Sequence, residues 1–98
     1  MIYAVVFEDN PTAGADVRQR LMDAHLAFLE KNAAHIKAAG PLKSASGDPA
    51  GGLWLVEAET PVQVDALVRD DPFWPTGLRH SVRVLYWSQV FADGRRKI

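Results

Sequence analysis

Three histidines and no cysteines bound the chemistry open to this chain of 98 residues. Without Cys there is no thiolate nucleophile, no thiolate metal site and no disulfide. His25 is the first candidate. It follows Leu21 by four residues and precedes Phe28 by three and Leu29 by four, which on a helix puts it on or beside the apolar stripe. Imidazole changes charge near neutral pH and suits proton transfer. A histidine on such a stripe also serves structure, with its ring held by a backbone carbonyl. Asp71 is the second candidate. As the residue before Pro72 it equally reads as the cap of a short turn. Asp70 beside it reads as a solvated charge. His35 and His80 read as surface residues. No two histidines, and no His–Glu pair, stand at metal-ligand spacing, so no metal site is expected. Gly51-Gly52 lacks the pattern of a phosphate loop, and Ser44, Ser46, Ser81 and Ser88 lack the setting of an activated nucleophile.

These side chains need elements to position them. Ile2 to Glu8 is an apolar strand, ended by Asp9-Asn10-Pro11. From about Ala15 to Asn32 the period becomes helical through Val17, Leu21, Ala24, Phe28 and Leu29, with Asp16 early and Lys31 late to suit the helix dipole. Ile36 to Ser44 reads as a strand kinked or bulged at Gly40-Pro41. Residues 46–52 read as a loop by composition, and Leu53 to Ala58 as the next strand. Thr60-Pro61-Val62-Gln63 is a helix start with a capping box. Val64, Leu67 and Val68 form its buried stripe, and Pro72 ends it near Arg69 or Asp70. A loop or single turn follows, then a long last strand from Ser81 to Phe91.

The order β-α-β-β-α-β is the ferredoxin-like arrangement of an α+β domain: a four-stranded antiparallel sheet with two helices on one face. The other face is left uncovered, yet three of the four strands are apolar on both alternating sets. A second copy packed on that face resolves the conflict, so a homodimer is expected. One domain spanning 1–98 is expected from the length.

Charge narrows the partners. Eleven basic against twelve acidic residues give 11 − 12 = −1, which offers no footprint for nucleic acid. Arg95-Arg96-Lys97 lies in a solvated basic tail, about residues 93–98. The first eight residues lack a signal-peptide pattern, and no apolar run spans a bilayer. The expectation is a cytoplasmic, soluble protein with no membrane or nucleic-acid partner.

Taken together, His25-Leu26-Ala27, Ala39-Gly40-Pro41-Leu42, Gly52 opening a strand, Asp71-Pro72-Phe73 and Gly77-Leu78 resemble the YCII family. The likeness runs from about Ile2 to Phe91; each motif is short, and their order and spacing carry it. It implies a dimeric α+β barrel, two ferredoxin-like sheets packed face to face. It implies that the family's His–Asp pair falls on His25 and Asp71, in a small pocket between helix and sheet. Arg18, Gly40, Pro41 and Phe73 are then ligand-binding candidates, with Gly40 and Pro41 shaping the pocket floor. Met22 stands where relatives often carry an Arg three residues before the His, while Arg18 matches a second basic position. Arg79 and Arg83 are other cations available for an anionic group, and no motif places either at the pocket.

On this resemblance Asp71 accepts a hydrogen bond from one ring nitrogen of His25, and the other nitrogen moves a proton on a small substrate. The reaction class is isomerisation or elimination, that of an isomerase or lyase working without metal or cofactor. The alternative is a non-catalytic small-ligand-binding or dimerising module of the same fold.

Overall fold

Alternation decides the strands. In the computed structural model, which describes residues 1–13 and 15–98, β1 (Ile2–Asp9) turns Tyr3, Val5 and Phe7 into the core. Ile2, Ala4 and Val6 point the other way and stay partly exposed. Helix α1 spans Ala15–Lys31, β2 Ile36–Lys43, β3 Pro49–Glu57, α2 Pro61–Asp70 and β4 Arg79–Tyr86. A 3-10 turn at Trp74–Thr76 precedes β4. The sheet is antiparallel in the order β2-β3-β1-β4, the ferredoxin-like α+β fold. Val5 lies opposite Trp54 on one side and Val84 on the other, and with Val56, Val64, Leu67 and Val68 they belong to one core under the helices.

Helix α2 is fixed at both ends by local chemistry. Thr60 Oγ1 accepts the Gln63 N–H at 3.4 Å, and Gln63 Oε1 accepts the Glu59 N–H at 2.8 Å. The returning bond thus lands one residue before the cap. Asp71 is extended, with ψ 131°, because the ring of Pro72 disfavours helical geometry there.

Three expectations need correction. Strand β3 begins at Pro49, four residues before Leu53. Gly51 has φ +97° and a Cβ on it would stand 1.9 Å from the Phe7 carbonyl oxygen, so this glycine serves a close backbone approach within the sheet. The last strand stops at Tyr86 instead of Phe91. Beyond it β5 (Phe91–Ala92) pairs with β6 (Arg95–Arg96), so the basic segment is part of a hairpin and not a bare tail. Asp93 (φ 56°) and Gly94 (φ 75°) form its two-residue turn, a known Asp-Gly signal. Strand β2 runs its full length with register shifts at Ile36/Ala38 and Pro41/Lys43, and the missing N–H of Pro41 is tolerated on an edge strand.

On the far face of the sheet Ile2, Ala4, Val6, Leu53 and Leu55 are partly exposed, and Leu85 is exposed. No helix among the described residues is long and apolar enough to cross a membrane.

Candidate active site

The stripe of α1 carries a histidine where it meets the sheet, and among the described side chains of the helix it is the best buried. His25 is 8% exposed, while Leu21, Phe28 and Leu29 are only half-buried. Its ring stacks on Phe73 at 4.3 Å between centroids and lies 6.4 Å from the Trp54 ring. Asp71, at the end of α2, is buried. Its Oδ1 lies 2.8 Å from His25 Nδ1 and also accepts the Phe73 N–H at 3.2 Å. One carboxylate oxygen therefore closes the turn after α2 and holds the imidazole across 46 residues of chain. The turn role and the pairing role read from sequence coexist.

The geometry assigns the tautomer. An ionised carboxylate only accepts, so Nδ1 carries the proton and donates it to Asp71. Among the described residues no hydrogen bond engages His25 Nε2, and the one buried polar side-chain atom without a partner is Arg79 Nε. His25 borders a cavity of about 100 Å³ between α1 and the sheet, which Arg18, Gly40, Pro41, Trp54 and Arg79 also line.

The ligand-binding candidates divide. Arg18, Gly40 and Pro41 reach this cavity together with Met22. A Cβ on Gly40 would meet no atom within 4 Å, so protein contact does not demand glycine there. Phe73 does not line the cavity; it is fully buried and supports the imidazole ring. His35 Nδ1 lies 3.0 Å from the Glu57 carbonyl oxygen on the surface, and His80 is exposed on β4.

Arg79 is the residue that sequence reasoning could not place. Its side chain is 4% exposed. The guanidinium lies 4.1 Å above the Phe7 ring and 5.5 Å from that of Phe73. Nη1 donates to Asp9 Oδ1 at 3.3 Å, and Nη2 faces Asp71 Oδ2 at 3.8 Å. Arg18 pairs with the other oxygen of Asp9. Burial lowers the pKa of Arg79; Asp9 pushes it back up, Arg18 lowers it further and Asp71 raises it. A guanidinium so placed stays charged at ordinary pH. The signal for this pairing is the cross-strand match of Asp9 with Arg79, which exists only once β1 and β4 are in register.

A larger cavity of about 580 Å³ adjoins the loop after β1, bordered by Asp9, Asn10, Arg18, Pro49 and Leu78 among others. It contains no histidine, and the Asp9 carboxylate there is held by two arginines. Size favours this cavity, but His25, paired with Asp71, borders the smaller one. Among the described residues no three His, Asp or Glu side chains gather as a metal-ligand set.

A family model described as "YCII-related domain" matches residues 1–88. No curated protein matches the chain. The structure of 5-chloro-2-hydroxyhydroquinone dehydrochlorinase (TftG) from Burkholderia phenoliruptrix AC1100, in complex with 2,5-dihydroxybenzoquinone, is similar at 32% identity and a TM-score of 0.78, covering 90% of this chain and 94% of that one. The structure of Rv0793 from Mycobacterium tuberculosis is similar at 23% identity and a TM-score of 0.46, covering 91% of this chain and 97% of that one. With the family model spanning most of its length and the first of these structures 32% identical over nine-tenths of it, the chain belongs to the YCII-related domain family.

Proposed function

We propose that this protein is a small-molecule enzyme in which His25 moves a proton and Asp71 orients it. The observation that carries the reading is an imidazole bonded through Nδ1 to a buried carboxylate, on a residue that borders a cavity. Asp71 fixes the tautomer and stabilises the imidazolium once it forms. The cavity suits a compound no larger than about one ring, since a protein cavity of about 150 Å³ holds benzene. The similar structure is that of a dehydrochlorinase, which favours elimination over isomerisation. In such a step Nε2 takes a proton from the substrate, the released electron pair forms a new π bond, and the leaving group departs with its own bonding pair.

The test is halide release from a panel of halogenated, hydroxylated single-ring compounds. Turnover is expected, and His25→Ala is expected to lower it by about 10²–10⁴-fold while circular dichroism stays unchanged. Thermal stabilisation by ring compounds without any product would instead identify a binding module.

The reading extends to a second copy of the chain on the far face of the sheet, with Ile2, Ala4, Val6, Leu53, Leu55 and Leu85 as the apolar surface it would cover. Sedimentation at micromolar concentration should give the dimer mass; a monomer mass refutes the pairing.

A further inference from the structure

We infer that Arg79 is a positioning residue that competes with His25 for the Asp71 carboxylate and so holds the imidazole in its proton-accepting form; this rests on the proton-transfer reading above. Asp71 offers one oxygen to His25 and turns the other toward Arg79. A carboxylate facing imidazole alone favours a positive charge on the ring, whereas a fixed cation on its far side opposes that charge. A general base must be neutral before it can act, so the second cation serves the first chemical step.

The surroundings of Arg79 are built for a charge. An apolar side chain would fill the space between Phe7 and Phe73 without the desolvation cost that a buried guanidinium carries. Strand β3 makes room for the charge instead: a Cβ on Gly52 would stand 3.3 Å from Arg79 Nη1. The guanidinium still leaves its Nε without a partner among the described residues, so the seat serves its charge at Asp9 and Asp71 better than it serves its hydrogen bonds.

The charged groups around His25 are few. Arg18 comes from its own helix, Asp9 from β1, Arg79 from β4 and Asp71 from the end of α2. Strands β2 and β3 bring Ala39, Gly40, Pro41, Gly52 and Trp54, none of them charged. Two arginines and two aspartates sum to 2 − 2 = 0. Removing Arg79 leaves −1 around the ring, and the ring then keeps its proton to higher pH.

Nitrogen NMR of the His25 ring across a pH titration tests this without any substrate. In Arg79→Met the titration midpoint is expected to rise by about one pH unit, and Arg79→Lys is expected to bring most of it back. Asp71→Asn is expected to lower it. A folded Arg79→Met with an unmoved midpoint, beside a lowered one in Asp71→Asn, overturns the role of Arg79 and leaves the dyad standing. No response to Asp71→Asn removes the dyad, and the proton-transfer reading and this inference fall together. Where Arg79→Met does not fold, the double variant Arg79→Met/Asp9→Asn removes both halves of the ion pair and is compared with Asp9→Asn alone. A rise between those two supports the inference, and equal midpoints overturn it.

Discussion

Helices α1 and α2 lie on the same sheet face and do different work. Helix α2 buries Val64, Leu67 and Val68, three apolar side chains in ten residues. Helix α1 has seventeen residues, and among its described side chains the best buried is the imidazole of His25. Apolar burial pulls a helix down until its side chains interdigitate with the sheet. Where the seam carries a polar residue and half-buried ones, that closing force is weaker, and a cavity stays open beneath α1. One helix holds the fold together and the other shapes the site. On the proposed proton-transfer reading, the firmly packed helix supplies the orienting group, Asp71 at its end, and the looser one supplies His25.

Two measurements can break or sharpen this contrast. The largest effect is expected from a matched pair of leucine truncations. Leu67→Ala in α2 should cost about 2–5 kcal/mol in urea denaturation, because it empties a well-packed seat. Leu21→Ala in α1, from a half-buried position, should cost no more than about 1 kcal/mol. Equal losses would mean that α1 contributes to the core as α2 does. The smaller effect concerns the start of α2. Thr60→Ala removes the oxygen that accepts the Gln63 N–H and should cost about 1 kcal/mol, read as a lower denaturation midpoint at unchanged slope. A loss within error would show that burial of the stripe fixes α2 without help from its cap.

Much of this architecture is legible residue by residue. Thr60-Pro61 and Pro72 mark the ends of α2 because a cap and an imide ring act over one or two residues. His25 stands out because an imidazole interrupts a stripe of fixed period. The start of β3 was not legible. Gly51 and Gly52 look like loop residues by type, and only the approach of the Phe7 carbonyl and the Arg79 guanidinium explains them as strand residues. The end of β4 was missed for a different reason: alternation continues past Tyr86, while the Asp93-Gly94 turn folds the rest of the chain back on itself.

Sequence alone determined the order of the elements, the caps of α2 and the presence of a histidine on the buried side of α1, because periodicity and local sterics act within a few residues. Only the tertiary structure decided that Nδ1 of His25 meets Asp71 at 2.8 Å, that Phe73 supports the ring instead of lining the cavity, and that Arg79 stands behind the carboxylate. The His25–Asp71 contact joins α1 to the end of α2 across 46 residues, and the Asp9 pair that holds Arg79 in place joins β1 to β4 across 70. No spacing in the chain encodes such pairings; they follow from sheet register and from how closely each helix packs onto it.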